Sequence, residues 1–82
     1  FVNRGRFVYW LSDDHIYIEK IDNSEVRIII INSVGQLLFE GKSTEKLIKV
    51  DTYNFYPGIY TVELLSSTDR NNIRRCYSFV IE

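Results

Sequence analysis

The stretch "SDDHI" sets Ser12, Asp13, Asp14 and His15 side by side, the residue types of a hydroxyl nucleophile, a base and its carboxylate partners. Such chemistry needs the base within hydrogen-bond reach of the nucleophile, and neighbours along a turn rarely point at one another. No glycine-flanked serine marks a strained nucleophile elbow. The polar run is therefore expected to be a hairpin turn. His15 is the only histidine, so no second imidazole joins it in binding zinc. Asp13, Asp14 and Asp22 would hold calcium only if their loops converged, and no D-x-D-x-D-G spacing is present.

Cys76 is the only cysteine, which excludes an internal disulfide and a cysteine-built metal site. With only Arg74 and Arg75 as basic neighbours, it reads as an inert thiol. Arg70, Arg74 and Arg75 form the densest basic cluster, with Arg4 and Arg6 near the other terminus. Ten basic and eleven acidic residues leave a net charge of −1, which provides no field for nucleic acid or an anionic membrane. The arginines are expected on a solvated edge that resists strand-to-strand aggregation. No apolar run approaches the roughly 18 residues of a membrane span. These residues assign no catalytic group, metal or cofactor, and the expected activity is non-enzymatic.

The aromatic residues are the surplus. Tyr9, Trp10, Tyr17, Tyr53, Phe55 and Tyr56 are more rings than so small a core can enclose. Exposed rings supply contact area at little entropic cost, so Tyr17, Tyr53 and Tyr56 are the candidate binding surface, with a protein or a glycan as its partner.

The elements that position these residues are strands. Isoleucine, valine, tyrosine and phenylalanine dominate an apolar content of 45%, alanine is absent, and branched or aromatic side chains suit a pleated surface. Turn signals recur every eight to twelve residues between alternating apolar runs, the habit of an all-β sandwich or barrel. Seven strands are expected in one domain spanning residues 1–82. They are Phe7–Leu11, a strand with Ile16 and Ile18 on one face, Val26–Ile31, Leu37–Glu40, a strand with Ile48 and Val50, Gly58–Leu65, and Ile73–Ile81. Val26–Ile31 is apolar on both faces apart from Arg27, which suggests a central strand covered on both sides. Gly41–Thr44 and Ser66–Asn72 are expected to be loops, and Tyr77, Phe79 and Ile81 to share a face opposite Cys76.

"NFYPGIYTVELL", residues 54 to 65, explains how one strand starts. Pro57 fixes φ near −65° and Gly58 lets the chain reverse. From there Tyr60, Val62 and Leu64 face one way, and Ile59, Thr61 and Glu63 the other. A tyrosine two residues after the turn can bury its ring and return its hydroxyl to backbone just upstream, the tyrosine corner of immunoglobulin-like sandwiches. Pro57, Gly58 and Tyr60 are thus assigned a structural role.

The same stretches carry a family resemblance. "VRIIIINSVGQLLFEG", "KLIKVD", "PGIYTVEL" and "CYSFVIE", in that order and spacing, resemble small Bacteroidetes immunoglobulin-like domains over roughly residues 15 to 82. Two groups fit: small secreted proteins of unknown function, and the C-terminal sorting domain read by the type IX secretion machinery. The resemblance implies an immunoglobulin-like antiparallel β-sandwich in a secreted, periplasmic or cell-surface protein, working with a protein or glycan at the surface or with the secretion machinery. Sorting domains usually open with a tyrosine-proline-asparagine-proline-like motif and keep a lysine in the closing strand. This chain has "FVYWLSDDHIYI" and "RRCYSFVIE" there. On those departures a stand-alone binding or assembly module ranks ahead of a sorting tail. The chain begins at Phe1 and has no methionine, so either a removed leader or a larger parent protein is expected.

Overall fold

The structure, a computed structural model, describes residues 7–20, 23–67 and 72–82. Its strands are β1 (Phe7–Ser12), β2 (His15–Lys20), β3 (Val26–Asn32), β4 (Leu37–Ser43), β5 (Leu47–Asp51), β6 (Gly58–Ser67) and β7 (Asn72–Ile81), with no helix among the described residues. They form two antiparallel sheets, one three-stranded in the order β1-β2-β5 and one four-stranded in the order β4-β3-β6-β7. This is the immunoglobulin-like sandwich, with one shift. Its fourth strand lies beside β3, whereas constant-type immunoglobulin domains keep that strand on the sheet of the first two.

Period-two alternation builds the core. Ile16 and Ile18 of β2 and Ile48 and Val50 of β5 face Val26, Ile28 and Ile30 of β3, together with Tyr60, Val62 and Leu64 of β6 and Phe79 of β7. Tyr9, Phe39, Phe55, Tyr77 and Ile81 close the margins of this cluster. Burying each Ile, Val or Leu contributes about 1.5–3 kcal/mol, so one layer of branched residues supplies most of the driving force.

Polar groups seal the end of the sandwich near the β2–β3 connection. Lys20 continues the inward parity of Ile16 and Ile18 and is itself buried, its ammonium donating to the Ser24 carbonyl. The Ser66 hydroxyl lies 3.5 Å from the Glu25 carbonyl. A lysine is tolerated on the core face because its stem packs while its head finds a carbonyl.

Two expectations change. β3 is central in its sheet, but its outer face is not covered: Arg27 is exposed, and Ile29 and Ile31 are half-buried. Flanking side chains provide the partial cover, since Ile29 lies between Glu40 and Glu63 across the neighbouring strands. Arg27 pairs with Glu40, and Arg74 with Glu63, along the same face. Second, β4 runs on to Ser43, because Gly41–Ser43 pairs with Val26–Ile28 rather than looping away. A Cβ on Gly41 would sit 3.2 Å from the Phe39 ring, so the glycine leaves room for that ring over the strand. Similarly, Ser66 and Ser67 belong to β6 and Asn72 to β7.

Leu64 is fully buried between the sheets. Leu64→Ala is expected to cost about 2–5 kcal/mol in urea unfolding, through lost burial and the cavity left behind. A loss under 0.5 kcal/mol would mean that this face does not form the core.

Candidate functional site

The β1–β2 connection is a two-residue hairpin, with Ser12 opposite His15. Asp13 and Asp14 both take positive φ, 51° and 63°, as a type I′ turn requires. The hairpin also orients the imidazole. Imidazole Nδ1 of His15 lies 2.8 Å from the Asp13 carbonyl, which can only accept, so that nitrogen carries a proton. The ring is thus engaged by its own turn rather than by the Ser12 hydroxyl. Asp22, Arg4, Arg6 and Arg70 lie outside the described residues. Among the described residues, no three His, Cys, Asp or Glu side chains gather as a metal site would need.

The hairpin also anchors the crossing from β5 to β6. The Thr52 amide donates to the Asp14 carbonyl at 2.8 Å, and Thr52 is buried. The Asp51 carboxylate accepts from the Tyr53 amide at 2.8 Å, and the Thr52 carbonyl from the Phe55 amide at 3.0 Å. These bonds coil residues 51–55 into a compact turn, the local competition that Asp and Thr side chains offer to strand pairing.

Pro57 then stiffens the chain, and Gly58 takes φ 153°, a conformation open to glycine and strained for other residues. β6 begins at Gly58, and two residues on the Tyr60 hydroxyl donates to the Tyr56 carbonyl. The Tyr60 ring packs against Phe55, centroids 5.2 Å apart, and Phe79, 5.4 Å apart. The hydroxyl-to-backbone bond and the two ring contacts have the form of a tyrosine corner.

The aromatic surplus divides three ways. Tyr9 and Phe55 join the margin of the core, and the Tyr9 ring sits 4.2 Å from Tyr77. Trp10 and Tyr17 are directly opposite on the outer face of the three-stranded sheet and stack at 5.2 Å with an interplanar angle of 13°. Tyr53 and Tyr56, 74% and 84% exposed, stand on the β5–β6 corner. Tyr17 is therefore half-buried on a sheet face, while Tyr53 and Tyr56 belong to a loop.

Asparagine organises the β3–β4 turn. The Asn32 side-chain oxygen accepts from the amides of Val34 at 3.1 Å and Gln36 at 2.9 Å, while Gly35 supplies φ 86°. Val34, Leu37 and Leu38 are left exposed beside this turn. They were not singled out in the sequence, although the apolar residues of the "VGQLL" run carried a signal.

On the four-stranded sheet Cys76 faces outward, its Sγ 3.7 Å from a Glu63 carboxylate oxygen. The hydrogen bond and charge of Glu63 hold the exposed Arg74 above its ordinary pKa.

Strand order and corner together define an immunoglobulin-like β-sandwich. Residues 12–76 match the family described as the secretion system C-terminal sorting domain, and the chain belongs to that family. It is thereby similar to the type IX secretion sorting domain. A comparison with curated proteins gives no match.

Tyr60→Phe keeps both ring contacts and removes one hydroxyl, so a loss of about 1 kcal/mol is expected in chemical denaturation. Gly58→Ala is expected to cost about 1–3 kcal/mol from backbone strain alone, since a Cβ there meets nothing within 4 Å. Neutral outcomes for both would remove the corner as a stabilising device.

Proposed function

We propose that this domain is a sorting signal that directs a cargo protein through type IX secretion in a Bacteroidetes cell. Its work is recognition by the secretion machinery rather than catalysis, and the protein that carries it is destined for the surface or the medium. The family match over residues 12–76 carries this reading. It reverses the order reached from sequence, where a stand-alone module ranked ahead. The family model matches from Ser12, within the departing opening stretch, to Cys76, halfway along β7.

The chemistry agrees with recognition. In the one cluster with catalytic residue types the imidazole Nδ1 is bonded to the hairpin's own backbone, whereas exposed rings stand on a braced corner. Tyr53 and Tyr56 also favour a second reading, a stand-alone envelope module that binds a protein or a glycan through those rings.

A reporter carrying this chain at its C-terminus, expressed in a host with type IX machinery, separates the two. Export of the reporter is expected, and retention inside the cell would sink the sorting assignment. Tyr56→Ala is expected to leave stability within about 0.5 kcal/mol, because the corner uses its carbonyl and not its ring. The same variant should lower the exported fraction; unchanged export would place the ring outside the recognised surface.

A further inference from the structure

Among the described residues β1 pairs with β2 alone, and its outer edge differs from the other three sheet edges. β7 carries Arg74 and Arg75, and β4 carries Glu40 and Lys42 with a register shift opposite Ile30 and Ile31. β5 is five residues long with Lys49 at its centre. Charges, irregular register and short length are the devices by which sheets prevent edge-to-edge pairing. β1, Phe7–Ser12, has none of the charges, no proline and no glycine, and its register with β2 is unbroken over six residues.

Side-chain exposure indicates what would cover this edge. Trp10 is 40% exposed and Leu11 41%, although as neighbours on a strand they face opposite sides of the sheet. A layer stacked on either face would cover one of them. A strand laid along the edge covers both, and it also takes up the outer amides and carbonyls of β1, which no described strand pairs.

We propose that the occupant is β1 of a second copy, paired antiparallel about a two-fold axis so that the three-stranded sheet runs on through both molecules. An antiparallel strand meets its own copy with the same residues on both sides, which gives a closed, self-complementary contact. The uncharged β1 brings no like charges together, and a net charge of −1 leaves little repulsion between the molecules. Pairing through β7 or β5 would instead set arginine or lysine against its own copy. This inference is independent of the sorting assignment.

The test is sedimentation velocity of the 82-residue chain over a dilution series, with fluorescence read on the same samples. Trp10 is the only tryptophan, so the emission reports this edge. A dimer dissociating in the micromolar range is expected, its emission moving to the red on dilution with the same midpoint. Trp10→Lys, which sets two like charges beside the axis, is expected to raise the dissociation constant at least about 100-fold. Leu47→Lys, on the opposite edge, is expected to leave it unchanged. A chain that stays monomeric up to about 1 mM overturns the proposal. So does a dimer whose emission does not move, or one that Leu47→Lys rather than a folded Trp10→Lys disrupts. If Trp10→Lys does not fold, the dilution series on the unsubstituted chain decides.

Discussion

The crossing from β5 to β6 is the constraint on which the rest of the sandwich depends. β6 is a ten-residue strand hydrogen-bonded to β3 on one side and β7 on the other, so its register sets the four-stranded sheet. A slip of one residue would turn Tyr60, Val62 and Leu64 outward and bring Ile59, Thr61 and Glu63 into the core. The corner prevents that slip: Asp51 and Thr52 coil the chain, Gly58 redirects it, and Tyr60 ties the first turn of the strand back to Tyr56. Because the Thr52 amide is held by Asp14, the corner also fixes the β1–β2 hairpin across the same end of the molecule.

Much of this was legible because it is local. Pro57, Gly58 and Tyr60 specify the corner through their own backbone and side-chain limits, and alternation in "IYIEK" and "KLIKVD" assigns faces without knowledge of partners. What sequence reasoning missed depends on neighbours. A run of four isoleucines in β3 suggested a strand buried on both sides, but only pairing shows that charged residues of β4 and β6 flank its outer face. Gly41 looked like a loop residue, and its use beneath the Phe39 ring is visible only in three dimensions. Lys20 reads as a surface lysine until parity with Ile16 and Ile18 places it inside, with the Ser24 carbonyl as its partner.

The candidate site was legible in part for the same reason. Asp13, Asp14 and His15 form a turn, and the hydrogen bond from imidazole to the Asp13 carbonyl needs only the local backbone. The aromatics required the fold, since alternation separates Tyr9 from Trp10 but cannot tell a margin of the core from an open face. Tyr17 proved to be the partner of Trp10, whereas Tyr53 and Tyr56 stand clear on the loop that the corner braces. A hydrogen-bonded corner that presents exposed rings fits the recognition role proposed for the domain. Family membership over residues 12–76 gives that recognition its context in secretion.

The most direct test of this account is an immunoblot of fractionated producing cells with an antibody against the domain. The sorting assignment predicts a larger precursor inside the cell that carries the domain and an exported product that has lost it. A single band at the 9.7 kDa of this chain, in the periplasm or the medium, would contradict it.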